Sequence, residues 1–286
     1  MNRPGARTRS PVVTYAEGGG RTRSDHLTTE EPLEIRLVAG SRHVSVGITM
    51  RTPGADFELA AGFLFAEGVV ERAAEVRSLS YCVDRAVGEE QRFNIVNVEL
   101  VEVPDVAHLE RHLLRTSACG VCGSASIEAL AARGVAPVAP PRDPLSPHLL
   151  RSLPQAMRAA QGNFEATGGS HAAALFSSAG EPVVVREDVG RHNAVDKVLG
   201  WALLEGLPPL HEHILMVSGR SSYEIVQKAA AGGIPVVCSV SAPSSLAVET
   251  ARSFGIVLVG FLREDRFNVY NGAELVESER GNVAPK

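Results

Sequence analysis

The stretch ILMVSGRSSYEIVQKAAAGGIPVVCSVSAPSSLAVETARSFGIVLVGF, residues 214–261, decides the fold of this chain. It alternates apolar runs with segments of helical spacing: strand 214–217, helix 223–231, strand 235–240, helix 245–254 and strand 256–261. Strands that are separated by single helices pair in parallel through right-handed crossovers. The run Val236-Val237-Cys238 is apolar throughout, as expected of a strand in a sheet that is covered on both faces. The stretch therefore predicts a layered α/β domain.

The segments on its N-terminal side extend the pattern. The sequence directly before the stretch predicts helix 149–161, strands 172–176 and 182–186, and helix 193–205. Further back, alternating apolar and polar residues predict a β-hairpin that turns at Ala39-Gly40-Ser41. A helix follows, with Asp56 as its expected N-cap and Gly68 at its end. Further strands are expected at 76–83 and 93–101, and a helix at 127–132. Residues 31–115 are thus predicted to form a mixed α+β unit.

The boundaries between these parts follow from composition. Residues 134–147 contain five prolines, and proline fixes φ and removes a backbone donor, so this segment is the best candidate linker. Residues 1–29 hold five arginines among Gly, Pro, Ser and Thr, which predicts a disordered tail. The predicted organisation is a disordered tail at 1–29, an α+β domain at 30–133, a linker at 134–147, an α/β domain at 148–275 and a second tail at 276–286.

The overall composition excludes several classes of function. The net charge of -5 gives no general attraction for nucleic acid or for an anionic membrane. No apolar run approaches the length that spans a bilayer. Four cysteines in 286 residues, with no apolar leader, indicate a reducing compartment rather than a disulfide scaffold. We therefore expect a cytoplasmic, folded protein with neither a nucleic-acid nor a membrane partner.

Unusual polar residues follow each of the three strands in the deciding stretch. The turns are Ser218-Gly-Arg-Ser-Ser222, Ser241-Ala-Pro-Ser-Ser245 and Phe261-Leu-Arg-Glu-Asp-Arg266. Open parallel sheets bind ligands beyond the carboxyl ends of their strands, and arginine suits phosphate. Taken singly, each turn is equally well explained by ordinary capping residues. Together they predict a site for a phosphorylated or nucleotide-bearing ligand, with these candidate residues: Ser218, Gly219, Arg220, Ser241, Phe261, Leu262, Arg263, Glu264, Asp265 and Arg266.

Two further polar clusters are candidates for the same site. Thr167-Gly-Gly-Ser-His171 precedes an apolar strand, and Arg186-Glu-Asp-Val-Gly-Arg-His-Asn193 leads into a helix. From them we add three candidate ligand residues, His171, Arg191 and His192. The alternative is structural: Asp188 or Asn193 caps the helix, while Arg191 and Lys197 are solvated.

The pair Cys119 and Cys122, in Ser117-Ala-Cys-Gly-Val-Cys-Gly-Ser124, allows several chemistries. A structural zinc site needs four ligands, yet only Cys82 and Cys238 remain, in separate predicted strands. A thioredoxin-like dithiol should follow a strand, and the preceding segment is not a convincing one. A zinc deaminase requires a histidine motif and then PCxxC, and neither is present in that order.

A group carrier is the remaining reactive alternative for this pair. Glycines and serines around the two thiols argue against a packed core position, in which the cysteines would be inert. The helix that follows and Arg115 would favour a thiolate. We therefore interpret the segment as a loop that accepts a sulfur or acyl group at one place and delivers it at another.

Residues 31–270 resemble the FdhD family, the accessory sulfurtransferases of formate dehydrogenase. The resemblance rests on five motifs in the family's order: Ser117-Ala-Cys-Gly-Val-Cys-Gly-Ser124, Thr167-Gly-Gly-Ser-His-Ala-Ala173, Glu187-Asp-Val-Gly-Arg-His-Asn-Ala-Val-Asp-Lys197, Ser218-Gly-Arg-Ser-Ser-Tyr-Glu224 and Phe261-Leu-Arg-Glu-Asp-Arg-Phe-Asn-Val-Tyr270. The resemblance implies a cytidine deaminase-like α/β C-terminal domain without zinc ligands, beside a smaller α+β N-terminal domain. It also implies a homodimer.

The function that the resemblance implies is sulfur transfer. A cysteine desulfurase would load Cys119 as a persulfide, and Cys122 would be the second, less defined cysteine. The sulfur would pass to the bis-molybdopterin guanine dinucleotide molybdenum cofactor, in contact with 261–266, before that cofactor enters formate dehydrogenase. Two alternatives stay open at this point. One is a chaperone that binds the cofactor without transferring sulfur, and the other is a dithiol reductase.

Overall fold

The computed structural model describes residues 5–39, 42–84, 87–88, 91–102 and 123–278. Their strands are β1 (Arg7–Ala16), β2 (Gly19–Thr28), β3 (Glu31–Ala39), β4 (Arg42–Arg51), β5 (Val76–Tyr81), β6 (Ile95–Leu100), β7 (His171–Ser177), β8 (Pro182–Asp188), β9 (His213–Val217), β10 (Val236–Ser239), β11 (Val257–Gly260) and β12 (Asn268–Asn271). Their α-helices are α1 (Asp56–Ala66), α2 (Gly123–Ala132), α3 (Pro147–Ala159), α4 (Gly162–Thr167), α5 (Arg191–Leu204), α6 (Tyr223–Ala231) and α7 (Ser245–Phe254).

The chain forms two compact units, and each is built from several separate segments. Unit 1 comprises Met1–Gly120, Gln161–Ala172 and Arg186–Leu207, and unit 2 comprises Val121–Ala160, Ala173–Val185 and Pro208–Lys286. The predicted division into 30–133 and 148–275 is therefore wrong, because α4 and α5 belong with the N-terminal sheet. None of the described helices is long and apolar enough to cross a membrane.

Unit 1 contains a four-stranded sheet in the order β4-β3-β6-β5. The predicted hairpin is confirmed as the antiparallel pair β3 and β4. The predicted strands at 76–83 and 93–101 are confirmed as β5 and β6. Alternate residues of β3, namely Leu33, Ile35 and Leu37, are fully buried. This alternation is why the sheet could be predicted from its apolar pattern.

Helices α1 and α5 of unit 1 cross at two glycines. A Cβ added at Gly62 would lie 1.8 Å from the carbonyl oxygen of Asp196, and one added at Gly200 would lie 1.8 Å from that of Glu58. The two helix backbones therefore touch. This contact places α5 in unit 1, although more than a hundred residues separate the two helices in the sequence. Apolar spacing within one segment carries no information about such a partner.

Asp56 does not cap α1 as predicted. The N-cap is Ala55, in the left-handed conformation at φ 54° and without a side-chain cap, and Asp56 is the first helical residue. The Asp56 side chain is 1% exposed, and it accepts bonds from the buried guanidinium of Arg51 and from the hydroxyl of Tyr81. A buried charge needs such partners, so the ion pair, rather than the helix end, explains the aspartate.

The predicted disordered tail is wrong for residues 7–28. These residues form the antiparallel hairpin of β1 and β2, with register from Arg7 opposite Thr28 to Ala16 opposite Gly19. Nearly every side chain in it is half-buried or exposed. The hairpin therefore lacks the apolar alternation by which a strand is recognised, and its polar composition suggested disorder instead.

Unit 2 is centred on a six-stranded sheet in the order β12-β11-β10-β9-β7-β8. The predicted parallel pairing is confirmed for β9, β10 and β11. The strands on either side run antiparallel, because β7 pairs with β9 and β12 pairs with β11 in that sense. The chain is thus a mixed α/β protein with several sheets, and the cytidine deaminase-like layering stays a prediction.

The proline-rich segment 134–147 packs on unit 2 and is not a free linker. Val138 and Leu145 are buried. The amide of Val138 donates to the carbonyl of Phe254 at 2.8 Å, and that of Leu145 donates to the carbonyl of Leu275 at 2.7 Å. Prolines leave the extended segment unable to form a regular strand, but the residues between them keep their donors and their apolar side chains.

Candidate functional site

The three strand-end turns of the deciding stretch meet at one edge of the sheet in unit 2. We call residues 218–222, 241–245 and 261–266 the edge loops. They are joined by backbone hydrogen bonds from Ser241 to Gly219 (3.2 Å), from Ser244 to Ser221 (2.9 Å) and from Phe261 to Ser241 (3.1 Å). The prediction that these turns lie together is confirmed. It follows from β9, β10 and β11 being adjacent and parallel, since their carboxyl ends share an edge.

The arginines of the edge loops have different surroundings. The guanidinium of Arg263 donates to the carbonyls of Val240 and Leu262, so it braces the loops. Arg220, Arg263 and Arg266 are all exposed. All three are candidate partners for an anion, although Nη1 of Arg263 is already engaged by backbone oxygens.

The remaining residues of 261–266 also differ in exposure. The side chain of Leu262 is fully buried and packs in the core. Glu264 and Asp265 are exposed and add negative charge beside the arginines. Phe261 is 42% exposed, and its φ of 51° lies in the left-handed region that non-glycine residues avoid. Strained backbone of this kind concentrates at functional sites.

Ser221 is an edge-loop residue that the sequence analysis did not select. It is fully buried, and its hydroxyl has no hydrogen-bond partner among the described residues. It stands two residues before Tyr223, the first residue of α6, and helix N-termini are common sites of anion binding. Leaving a buried hydroxyl unpaired costs roughly 1–3 kcal/mol, which a ligand acceptor would recover. In the sequence, only the position of Ser221 within the turn Ser218-Gly-Arg-Ser-Ser222 could have identified it as a candidate.

The predicted residues of unit 1, His171, Arg191 and His192, lie close enough to interact electrostatically. Burial lowers the pKa of His171 from its ordinary value of 6.5, and the charges of Arg191 and His192 lower it further. The Nε of Arg191 is buried, and no hydrogen-bond partner for it lies in the part of the chain that the structure describes. The cluster therefore favours the neutral form of His171, although the nearby carboxylate of Asp188 opposes this shift.

The neighbouring polar residues hold unit 1 together. Asp188 is fully buried and accepts bonds from the amides of Thr52 (3.1 Å) and Gly190 (2.8 Å). Its ion pair with Lys197 is 2.7 Å long, and Lys197 also donates to the carbonyls of Thr52 and Glu187. The alternative that left Lys197 solvated is thus wrong. The N-cap of α5 is Gly190, without a side-chain cap, so neither Asp188 nor Asn193 is the capping residue.

A comparison with protein families identifies the chain. The model of the FdhD/NarQ family matches residues 28–277, which is most of the chain. The chain belongs to the FdhD/NarQ family. Proteins named sulfur carrier protein FdhD are similar to this family member over most of its length. The protein of Streptomyces avermitilis is 51% identical to this chain, over 92% of this chain and 93% of the relative's length. The protein of Mycobacterium tuberculosis is 49% identical to this chain, over 89% of this chain and 93% of the relative's length.

A solved structure has the same fold as this FdhD/NarQ family chain. It is a protein of Desulfotalea psychrophila, described as a candidate formate dehydrogenase accessory protein. The two chains share 27% sequence identity and superpose with a TM-score of 0.72. The match covers 95% of this chain and 100% of the other.

Two of the four cysteines of this FdhD/NarQ family chain are among the described residues, and both are buried. Burial raises the pKa of the Cys238 thiol far above its ordinary value, so Cys238 is unsuited to thiolate chemistry. Cys119 and Cys122 lie outside the described residues. Their predicted role therefore stays a prediction, as does the ligand-binding role of the edge loops.

Proposed function

We propose that this chain is a sulfur carrier for the maturation of formate dehydrogenase. The observation that carries the proposal is the 51% identity to a protein named sulfur carrier protein FdhD over more than nine tenths of both chains. The bis-molybdopterin guanine dinucleotide molybdenum cofactor is the substrate that receives the sulfur in this reaction. It is not a resident group of the protein. Cys119 carries the sulfur, and a cysteine desulfurase supplies it.

The loading step is thiol–persulfide exchange. The thiolate of Cys119 attacks the outer sulfur of the desulfurase persulfide, whose sulfur–sulfur bond breaks. The desulfurase cysteine leaves as a thiolate, and Cys119 becomes the persulfide. No external oxidant or reductant is needed, because one sulfur–sulfur bond replaces another.

The delivery step needs two electrons, and Cys122 provides a source for them. If the thiolate of Cys122 attacks the inner sulfur of the Cys119 persulfide, a Cys119–Cys122 disulfide forms and sulfide leaves toward the cofactor. A cellular thiol then reduces the disulfide. This assigns Cys122 a role that position in the family alone leaves open.

The edge loops suit the guanine dinucleotide halves of the substrate. Arg220 and Arg266 are exposed cations for its phosphates, and the unpartnered Ser221 hydroxyl lies beside the N-terminus of α6. The exposed ring of Phe261 offers a surface for stacking. These groups bind and orient the substrate at the edge of the sheet.

The experiment separates a carrier from a chaperone that only binds the cofactor. Formate dehydrogenase activity is measured in cells that express Cys119→Ala or the double variant Arg220→Ala, Arg266→Ala. A carrier loses activity in both, whereas a chaperone tolerates Cys119→Ala and fails only with the arginine variant. Arg263 is avoided in this test, because its substitution would also release the carbonyls that it braces.

A further inference from the structure

Ser239 is the last residue of β10 and ends a run of apolar side chains in the core of unit 2. It follows Val236, Val237 and Cys238, and like them it is buried. A hydroxyl in such a position has lost its contact with water, and only hydrogen bonds within the protein offset that loss. The bonding partners of Ser239 therefore indicate what a polar residue contributes there.

The Ser239 hydroxyl donates to the backbone of the edge loops. The carbonyl of Ser241, the first residue of the second edge loop, accepts from it at 2.8 Å, and the carbonyl of Val259 lies farther away at 3.3 Å. A hydroxyl has a single hydrogen to donate, so the shorter contact is the main bond. Ser239 thus fixes the direction of a carbonyl two residues further along the chain.

The same short segment also holds the third edge loop. The carbonyl of Ser241 accepts from the amide of Phe261 at 3.1 Å, and the carbonyl of Ser239 accepts from the amide of Leu262 at 3.0 Å. The amides on both sides of the Phe261 Cα are therefore bonded to residues 239–241. The hydroxyl of Ser239 orients one of the two acceptors, and its own carbonyl is the other.

Phe261 needs such a hold because its backbone is strained. Its φ of 51° lies in the left-handed region, where a side chain crowds its own backbone. Conformations of this kind persist only where the surrounding structure over-determines them. The preceding residue is enclosed as well, since a Cβ added at Gly260 would lie 2.9 Å from both Pro243 and Tyr270. The backbone therefore has little room to relax at this turn.

The turn at Phe261 separates two side chains with opposite surroundings. Leu262 is fully buried, whereas the ring of Phe261 is 42% exposed. An exposed aromatic ring is a platform on which a nucleotide base stacks. The place of this ring depends on the strained backbone, and hence on the bonds that hold that backbone.

We propose that Ser239 is a positioning residue, which acts through the carbonyl of Ser241 to hold Phe261 where its ring stacks on the guanine base of the substrate. The stacking role of Phe261 belongs to the proposed function, so the role of Ser239 rests on that function too. Ser239 itself is fully buried and acts without touching the substrate. Support of the fold alone explains its hydroxyl less well, because the carbonyl of Ser241 already has a donor in the amide of Phe261.

Two probes that bind the full chain test the proposal. GDP carries the base and a diphosphate, whereas inorganic pyrophosphate carries the diphosphate alone, so the ratio of their dissociation constants measures what the guanosine contributes. Phe261→Ala should weaken binding of GDP about tenfold, as expected when one base loses its stacking partner. Ser239→Ala should weaken it by part of that amount, about threefold to tenfold. Neither variant should change the affinity for pyrophosphate.

A double variant distinguishes positioning from support of the fold. If Ser239 acts only through Phe261, the double variant Ser239→Ala, Phe261→Ala binds GDP as weakly as Phe261→Ala alone, because the two effects are not additive. Thr250→Val is the matched control. It removes another fully buried hydroxyl of unit 2, which donates to the carbonyl of Leu246 at 2.7 Å, and it should leave the affinity for both probes unchanged.

Several results overturn the positioning role of Ser239. These are an unchanged affinity for GDP in either single variant, an equal loss for GDP and pyrophosphate in Ser239→Ala, additive losses in the double variant and an equal effect of Thr250→Val. A Ser239→Ala chain that does not fold overturns it too, since the hydroxyl then serves the fold itself. An unaltered chain that binds neither probe would overturn the edge-loop site of the proposed function as well, whereas the other results leave that site intact.

Discussion

Ser221 shows what a single residue contributes to the edge loops. Its buried hydroxyl has no partner in the described segments, whereas the hydroxyl of Ser244, in the next loop, accepts a hydrogen bond from the amide of Ala247 at 3.2 Å and caps α7. The two serines look alike in the sequence, since both precede a helix after an apolar strand. Only the structure shows that the hydroxyl of Ser244 caps a helix and that the hydroxyl of Ser221 does not.

This difference predicts opposite results for two serine substitutions. Ser244→Ala should lower the free energy of unfolding by about 0.5–2 kcal/mol, because a helix cap is lost. Ser221→Ala should leave that free energy unchanged or raise it, since no bond is lost, but should weaken binding of the cofactor. Urea unfolding and equilibrium binding check both expectations. Equal destabilisation by the two variants would show that Ser221 is partnered in the free protein.

The pKa of His171 is expected to lie below its ordinary value of 6.5. Burial and the charges of Arg191 and His192 lower its pKa from 6.5. The unfolded chain therefore binds more protons just below pH 6.5, so this residue lowers the stability of the fold as the pH falls through that window. A titration followed by nuclear magnetic resonance should place its midpoint below 6.5, and Arg191→Gln should move the midpoint upward. A midpoint at or above 6.5 would contradict the cluster.

The elements of this fold differ in how well the sequence predicted them. Apolar spacing identified β3, β4 and the alternation from β9 to β11, because each buries at least one face. It failed for the hairpin at 7–28, whose two faces are both largely in solvent. It also failed for α5, which the sequence placed in the wrong domain. The contact that decides its place is made by glycines, which leave no apolar signal.

The crossing of α1 and α5 gives a prediction about glycine in helices. Alanine normally stabilises a helix interior relative to glycine, by roughly 0.5–1 kcal/mol. Gly62→Ala should instead destabilise, because its Cβ would meet the backbone of α5. Gly162→Ala is the control, since the nearest contact of its Cβ is the flexible end of Arg7 at 3.6 Å. Thermal unfolding should show a loss only for Gly62→Ala, and equal melting temperatures would refute the tight crossing.

On the scale of the whole molecule, the sequence predicted the location of the edge loops better than their individual roles. Adjacent parallel strands bring the three loops to one edge of the sheet, so that prediction followed directly once the strands were recognised. The role of an individual side chain depends on neighbouring residues that are distant in the sequence. Arg263 braces backbone carbonyls through Nη1, which the sequence did not predict, and its expected contact with phosphate stays a prediction. A buried ion pair with Asp188 shows that Lys197 is not solvated.

The central claim is that Cys119 carries sulfur, and mass spectrometry of the intact chain and its peptides tests it most directly. After incubation with a cysteine desulfurase and cysteine, we expect about 32 Da, the mass of one sulfur, on the Cys119 peptide. The peptides of the buried Cys82 and Cys238 serve as internal controls and should be unchanged. Addition of the cofactor should then remove the sulfur and leave a Cys119–Cys122 disulfide. No added mass at Cys119, in a chain that still activates formate dehydrogenase, would contradict the account.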